Sequence, residues 1–178
     1  MPRPFTGRRA RWSIVGLILA AIGGLVYHQT SSTGGGSFSG RVVTVADGDT
    51  LGVMNGTMEV RVRLFGVDCP EKSQPHGMEA KQFTSSRCFG KDVQVKVVDK
   101  DRYGRTVGEV TLPDGKSLNR LLVEAGYAWW YRSYSRDSSL GELEAQARKE
   151  RRGLWADKNP QPPWEYREHE RESRENRR

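Results

Sequence analysis

The chain has 178 residues, of which 35% are hydrophobic and 29% are charged, so there is room for one domain of ordinary size with appendages. Its two cysteines, Cys69 and Cys88, are too few for a disulfide scaffold, and they lack the C-x-x-C spacing of metal sites. The formal net charge of +7 does not by itself indicate a nucleic-acid partner, because residues 1–12 carry +4, residues 161–178 are neutral, and residues 39–160 hold 20 basic and 17 acidic groups.

The N-terminus is typical of an export signal. Residues 1–12 form a basic region, and residues 13–27 (SIVGLILAAIGGLVY) form an uncharged hydrophobic segment. This segment is short for a membrane-spanning helix, which takes about 20 residues, and no A-x-A cleavage site follows it. An uncleaved membrane anchor and a cleaved signal peptide therefore both remain open. In both cases we expect the rest of the chain outside the cytoplasm, either anchored to the membrane or, after cleavage, secreted or periplasmic.

The remaining segments predict a linker, one folded domain and a tail. Residues 28–38 have the glycine- and serine-rich composition of a flexible linker. Within residues 39–157, hydrophobic periodicity predicts three strands, a helix, two strands and two helices, in the stretches GRVVTVADGDTLGVM, MEVRVRLFGV, GMEAKQFTSSRCFGK, KDVQVKVVD, RTVGEVTLPDG, SLNRLLVEAG and SSLGELEAQARKERRG. This order predicts an α+β domain built on a small five-stranded barrel. The tail, residues 158–178, is broken by prolines and then almost wholly charged, which predicts disorder or a frayed surface helix.

Acidic side chains cluster at the ends of two predicted strands. Asp47 and Asp49 lie in ADGDT, and Asp68 and Glu71 lie in DCPE. Either stretch alone is typical of a turn. Because the strands beside them should pair with each other, however, two or three of these carboxylates can come within reach of one cation. Carboxylate and carbonyl oxygens are the ligands that calcium prefers, so the pair of stretches indicates a candidate metal site.

Two arginines complete a candidate catalytic site. Arg63 projects from the strand that leads to Asp68, and Arg105 lies just before the fifth predicted strand. Taken singly, each arginine is typical of a surface ion pair. Together with a metal held by carboxylates, two guanidinium groups can bind phosphate oxygens and stabilise the charge that develops in phosphoryl transfer.

Six stretches together resemble the staphylococcal nuclease (thermonuclease) family: VADGDTLGV, VRLFGVDCPE, GMEAKQFT, DRYGRTVGEV, LNRLLVEAGYAWWY and LEAQARKERRGLW. They occur in the family's order and span residues 39–157. The resemblance implies a five-stranded OB-fold barrel with three helices. It also implies a calcium-dependent phosphodiesterase that acts on DNA and RNA and leaves a 3′-phosphate and a 5′-hydroxyl. We expect the protein to be a monomer.

The resemblance also implies roles for individual residues. The carboxylates of Asp49 and Asp68 would hold calcium, together with the main-chain carbonyl of Cys69, and Glu71 would activate or orient the attacking water. Arg63 and Arg105 would bind the phosphate and stabilise its transition state. The substrate-binding residues implied by the resemblance are Arg102, Tyr103 and Tyr134.

Some positions depart from the family's residues, and others allow two interpretations. Cys69 stands where the family usually has threonine or alanine, and Arg132 stands where the staphylococcal enzyme has a second loop tyrosine. The two cysteines fit either one disulfide in an exported protein or two free thiols, with Cys88 as a small apolar core residue. The aromatic run 129–131 (WWY) fits either core packing or a stacking surface for unpaired bases.

Three functions are compatible with the sequence. They are a calcium nuclease, a non-catalytic OB-fold module that binds nucleic acid at the cell surface, and a structural protein at the cell surface. A histidine-based nuclease or a zinc site is not supported, because the three histidines lie far apart in the sequence. The nuclease is favoured because its complete residue set is present: Asp49, Arg63, Asp68, Glu71 and Arg105.

Overall fold

Valine-rich strands build the centre of the structure, a computed structural model that describes residues 35–177. The strands in chain order are β1 (Ser37–Val45), β2 (Thr50–Asn55), β3 (Met58–Leu64), β4 (Val67–Asp68), β5 (Asp92–Lys100), β6 (Thr106–Thr111) and β7 (Trp129–Trp130). Five of them close into a barrel in the order β1-β2-β3-β6-β5, and β4 and β7 pair separately. Neighbouring barrel strands are antiparallel except β3 and β6, which are parallel.

The barrel interior follows from the alternation of side chains along each strand. Successive residues of a strand point to opposite faces, so every second residue faces the core. One valine from each barrel strand is fully buried there: Val42, Val62, Val53, Val95 and Val110. This arrangement confirms the five-stranded α+β barrel predicted from the sequence and is consistent with an OB fold.

Within the described part of the chain, four α-helices pack around the barrel or extend from it. They are α1 (Gly77–Cys88), α2 (Leu118–Glu124), α3 (Ser138–Lys149) and α4 (Pro163–Glu175), and a 3-10 helix spans Gly153–Ala156. Side-chain caps start α2 and α3: Ser117 accepts from the backbone N–H of Arg120, and Asp137 accepts from that of Ser139. Such caps satisfy N–H groups that have no partner within a helix, so they fix where both helices begin.

A buried asparagine ties α2 to the barrel. Asn119 is 3% exposed. Its side-chain nitrogen donates to the carbonyls of Phe65, at 2.9 Å, and Gly108, at 3.3 Å, and its oxygen accepts from the N–H of Val110 at 3.0 Å. All the hydrogen-bonding partners are backbone groups of the barrel or of the turn after β3, so Asn119 holds that turn in place.

The C-terminal tail was predicted to be either disordered or a frayed surface helix, and the structure has a helix there. It spans Pro163–Glu175, so residues 35–177 contain four α-helices where the family resemblance implied three. Pro163 at the first helical turn has a backbone conformation that suits a helix start. The high charge of this segment suggested disorder, but Trp164 near the start of α4 packs against Trp129 and Tyr131.

The N-terminal boundary of the domain is also corrected. The flexible linker expected over residues 28–38 ends earlier, because Ser37 and Phe38 already belong to β1 and pair with Lys96 and Val95 of β5. The expected anchor or signal segment, residues 13–27, lies outside the described residues. Among residues 35–177, no helix combines the length and the apolar character that crossing a membrane requires.

The two cysteines are buried free thiols rather than a disulfide. Cys88 is fully buried in the main core cluster, as expected for a small apolar residue, and Cys69 is 4% exposed. Burial raises the pKa of the Cys88 thiol to about 12 and holds the pKa of Cys69 well above its ordinary value. Neither thiol is ionised near neutral pH, so both act as packing residues.

Candidate active site

The stretches ADGDT and DCPE meet where β2 begins and β3 ends. Thr50, the first residue of β2, is paired with Arg63 near the end of β3. The backbone N–H of Leu64 donates to the carbonyl of Asp49 at 2.9 Å. Asp68 lies in β4, which follows β3 after a short turn. Both Asp49 and Asp68 therefore lie next to Arg63, as expected from the pairing of β2 with β3.

Arg63 joins the two aspartates. Its Nη1 lies 2.8 Å from Asp49 Oδ2, and its Nη2 lies 2.7 Å from Asp68 Oδ1. The backbone N–H of Cys69 also donates to Asp49 Oδ2, at 2.7 Å. Because Asp49 is 6% exposed and Asp68 is 1% exposed, the cluster is largely shielded from water. Charged groups buried in this way need such partners, since an unpaired buried charge is costly.

Burial and charge act in opposite directions on this cluster. Burial raises the pKa of the Asp49 carboxyl, although the charge of Arg63 lowers it. Burial disfavours the charged form of Arg63, but the charges of Asp49 and Asp68 outweigh it and raise the pKa of that guanidinium. Arg63 therefore stays charged, and Asp49 depends on a neighbouring cation to remain ionised.

Helix α1 fixes the turn that carries Asp49. The hydroxyl of Thr84, buried in α1, donates to the carbonyl of Gly48 at 2.6 Å. A Cβ atom at position 48 would lie 2.8 Å from Cys69 and 2.9 Å from Ala80. Glycine is required in this position because the turn is enclosed between α1 and the DCPE stretch.

Glu71 lies at the edge of the cluster, where water can reach it. Its side chain is 38% exposed. Its backbone N–H donates to Gln74 Oε1 at 3.2 Å, and its carbonyl accepts from the N–H of Gln74 at 2.9 Å. A Cβ atom on Gly77 would lie 1.8 Å from the Glu71 carbonyl oxygen, so the start of α1 packs directly against this backbone. Glu71 is thus a carboxylate on a fixed backbone with access to solvent.

The sequence-based prediction missed Arg167 of α4. Its Nη2 lies 2.8 Å from Asp68 Oδ2, and its Nη1 donates to Asp68 Oδ1 at 3.2 Å and to Glu71 Oε1 at 2.9 Å. Asp68 therefore has an arginine on each side. No sequence signal singled out Arg167, because it is one of five arginines in a tail segment with as many glutamates.

Three further candidate residues share an exposed loop before β6. Arg105 Nε lies 2.7 Å from Asp101 Oδ2. Arg102 donates to the Tyr103 hydroxyl at 2.8 Å, and its guanidinium lies 4.9 Å from the centre of that ring. Tyr103 is 69% exposed. Within residues 35–177, Arg105 makes no hydrogen bond to the carboxylates of the cluster. The strand that follows it, β6, runs beside β3, with Thr106 paired with Val62 and Val107 paired with Arg63.

The aromatic run after α2 divides between core and site. Trp129 is 8% exposed and packs in a cluster with Trp155, which confirms core packing for this residue. Tyr131 lies near the carboxylates of the site. Burial, and after it the charge of Asp68, raise the pKa of the Tyr131 hydroxyl. Tyr134, which is 67% exposed, lies against Tyr131 with ring centres 4.6 Å apart. The predicted substrate residue Tyr134 is thus connected to the site through Tyr131.

The cluster fits a hard divalent cation by the chemistry of its donors. Among residues 35–177, no three His, Cys, Asp or Glu side chains are placed to hold a metal by themselves. The site nonetheless offers carboxylate oxygens as metal ligands, and one cation, the guanidinium of Arg167, already bridges Asp68 and Glu71. Since calcium accepts carboxylates, main-chain carbonyls and waters together, two carboxylates and a few further oxygens can complete such a site.

The family model and the similar proteins all point to one family of nucleases. The family model described as "Staphylococcal nuclease homologue" matches residues 61–157. An "Uncharacterized endonuclease" of Escherichia coli O157:H7 is 46% identical over 128 residues, which is 72% of this chain and 84% of that protein. The "Micrococcal nuclease" of Shigella flexneri is 38% identical over 159 residues, covering 84% of this chain and 91% of that protein. An "Uncharacterized endonuclease" of Haemophilus influenzae is 38% identical over 132 residues, 74% of each chain.

Proposed function

The chain belongs to the staphylococcal nuclease family and is a nuclease that hydrolyses phosphodiester bonds, and we propose that it acts with calcium on DNA, on RNA or on both. The observation that carries the proposal is the pairing of Arg63 with Asp49 and Asp68, beside a glutamate that water can reach. Packing alone does not require this arrangement, since buried ion pairs are often no more stable than apolar residues of the same volume. Perturbed, buried charges of this kind are typical of functional sites.

Arg63 is proposed to bind the scissile phosphate. A guanidinium has five N–H donors in a planar fork. Asp49, Asp68 and the carbonyl of Leu64 accept from the two terminal nitrogens, so further N–H groups remain for phosphate oxygens. Because the two aspartates fix the plane of the fork, Arg63 is held in place before the substrate binds, which favours stabilisation of the transition state.

Glu71 is proposed to orient the attacking water and to accept its proton. The exposed carboxylate can hold one water molecule by a hydrogen bond on the side of the phosphate that faces solvent. Attack at phosphorus forms the new P–O bond and breaks the bond to the 5′ oxygen, which takes up a proton. The products are then a 3′-phosphate and a 5′-hydroxyl.

Calcium is the proposed cofactor, held by the carboxylates of Asp49 and Asp68 and by the main-chain carbonyl of Cys69. When bound, it supplies positive charge that polarises the phosphate oxygens. The N–H of Cys69 donates to Asp49, which keeps this backbone segment beside the carboxylate. The export expected from residues 1–27 supports calcium, because extracellular calcium sites work at dissociation constants of about 10⁻⁴–10⁻³ M.

The exposed loop before β6 is proposed to bind the substrate next to the reacting phosphate. Arg105 would exchange Asp101 for a phosphate oxygen, a replacement that keeps its charge paired. Arg102 and the exposed rings of Tyr103 and Tyr134 would contact the neighbouring nucleotide. These contacts give affinity with little dependence on base sequence, because phosphates and ring faces are common to all nucleotides.

Metal dependence tests the proposal. We expect the full chain to cleave single-stranded DNA in calcium, to lose this activity in chelator, and to be slower in magnesium, which demands a stricter octahedral geometry. Cleavage is followed by gel electrophoresis of an end-labelled oligonucleotide. Equal activity in magnesium after removal of calcium would overturn the choice of metal. Tight binding without cleavage in any metal would instead establish a non-catalytic binding module.

A further inference from the structure

Helix α4 places a positive charge on the carboxylates that the proposed reaction uses. Arg167 contacts both oxygens of Asp68, at 2.8 and 3.2 Å, and one oxygen of Glu71, at 2.9 Å. Burial disfavours the charged form of this guanidinium, but the hydrogen bonds and charges of Asp68 and Glu71 together outweigh it and raise the pKa of Arg167. Its side chain is 40% exposed, so it reaches the site from the solvent side.

Aromatic and polar contacts hold α4 in this position. Trp164 stacks on Tyr131, with ring centres 5.6 Å apart and planes 2° apart, and meets the edge of Trp129 at 5.5 Å. The Tyr166 hydroxyl donates to Ser73 Oγ at 2.9 Å. Both contacts come from the first four residues of α4, just before Arg167 in the sequence, so the guanidinium is positioned by a docked helix.

A second contact fixes the segment that leads into α4. The side-chain nitrogen of Gln74, which is 5% exposed, donates to the carbonyl of Gln161 at 2.6 Å. Gln74 also accepts from the backbone N–H of Glu71 through its side-chain oxygen, at 3.2 Å. One buried amide therefore connects the backbone of Glu71 to the start of the C-terminal segment, so α4 and the carboxylate site are coupled by direct contacts.

Arg167 and a cation held by Asp68 exclude one another. Asp68 Oδ1 accepts from both Arg63 and Arg167, and Oδ2 accepts from Arg167, so both oxygens of Asp68 are in contact with Arg167. A divalent ion held by Asp68 would be close to this guanidinium, and the two positive charges would repel each other. The same guanidinium hydrogen-bonds to Glu71, and a carboxylate in such an ion pair is less available to hold a water molecule.

We propose that α4 is an autoinhibitory helix whose Arg167 competes with the metal cation for Asp68 and Glu71. The inference rests on the proposed function, because it concerns regulation of the same site. Binding of calcium and docking of α4 oppose each other: calcium favours the released helix, and the docked helix lowers the apparent affinity for calcium. The protein therefore stays inactive at low calcium although its catalytic residues are in place.

The test measures calcium affinity of the full chain by isothermal titration calorimetry, without nucleic acid. Because the docked arginine contributes several charge-assisted hydrogen bonds, we expect Arg167→Gln to bind calcium about tenfold more tightly than the unmodified chain. Arg171→Gln is the matched control, since it removes the same charge from an exposed position one turn further along α4. It should leave the affinity unchanged.

A second variant releases α4 without changing any charge. Trp164→Ala removes the stack on Tyr131, and we expect it to raise the calcium affinity in the same direction as Arg167→Gln. In the unmodified chain, calcium should accelerate hydrogen exchange of the α4 amides, while that of the barrel strands stays the same or slows. Circular dichroism confirms that the variants remain folded.

The outcomes separate this inference from the proposed function. Equal calcium affinity of Arg167→Gln, Arg171→Gln and the unmodified chain would overturn autoinhibition and leave the nuclease proposal intact. Calcium binding that leaves the exchange of α4 unchanged would overturn it as well. No calcium binding to any variant would overturn the calcium assignment itself, and the inference with it.

Discussion

Replacing Glu71 with glutamine is expected to lower the rate of phosphodiester cleavage by about 10²–10⁴-fold, the usual contribution of a general base. Glutamine keeps the size and the solvent exposure of the side chain, but it cannot take a proton from water. The backbone at position 71 is fixed by Gln74 and Gly77, so the substitution should leave the fold unchanged. The rate is measured in calcium with the protein in excess over a single-stranded oligonucleotide.

The matched control for this prediction is Glu79→Gln on the exposed face of α1. It makes the same chemical change outside the cluster and should leave the rate unchanged. Glu71→Gln also weakens the contact with Arg167, which by itself would favour calcium binding, so a fall in rate cannot come from stronger autoinhibition. A Glu71→Gln protein that cleaves as fast as the Glu79→Gln protein would show that Glu71 has no chemical role.

Removing the guanidinium of Arg63 is expected to lower the free energy of unfolding by several kcal/mol. In Arg63→Met, Asp49 loses its ion pair and Asp68 keeps only Arg167, while both aspartates remain buried. Removing one partner of a buried ion pair typically lowers the free energy of unfolding by about 3–5 kcal/mol. Urea unfolding in chelator, followed by tryptophan fluorescence, measures the loss.

Arg61→Met on the same strand is the control, because Arg61 is exposed and carries the same charge. We expect it to change the unfolding free energy by less than about 0.5 kcal/mol, as surface substitutions usually do. Calcium should restore part of the stability of Arg63→Met, since it supplies the positive charge that the aspartates have lost. Equal destabilisation by the two substitutions would contradict the view that Arg63 organises the site.

The barrel and the central cluster were predictable because their signals are local. Alternating valines define the strands, and the pairing of β2 with β3 follows from their short connection, which brings Asp49 and Asp68 to Arg63. The two-residue strands β4 and β7 were not predicted, since two residues give no periodicity to detect. The ion pair of Arg105 with Asp101 was not predicted either, because the sequence spacing does not show which acidic residue contacts this arginine.

The C-terminal segment shows the other limit of prediction from sequence. Its composition of alternating glutamate and arginine favours a solvated chain, and charge alone does not indicate which arginine finds a buried partner. The determinants of docking are single residues: Trp164 on Tyr131, and Gln161 on Gln74. These contacts are separated by many residues in the sequence, so only the folded structure brings them together.

Cleavage in water labelled with heavy oxygen, followed by analysis of the products, tests whether the protein hydrolyses the phosphodiester bond. DNA is the substrate of choice because it has no 2′-hydroxyl, so that the attacking oxygen must come from water or from the protein. We expect calcium-dependent cleavage in which one labelled oxygen enters the new 3′-phosphate and the other product carries a free 5′-hydroxyl. Binding without cleavage in calcium, or products without the label, would contradict hydrolysis at the Arg63 cluster.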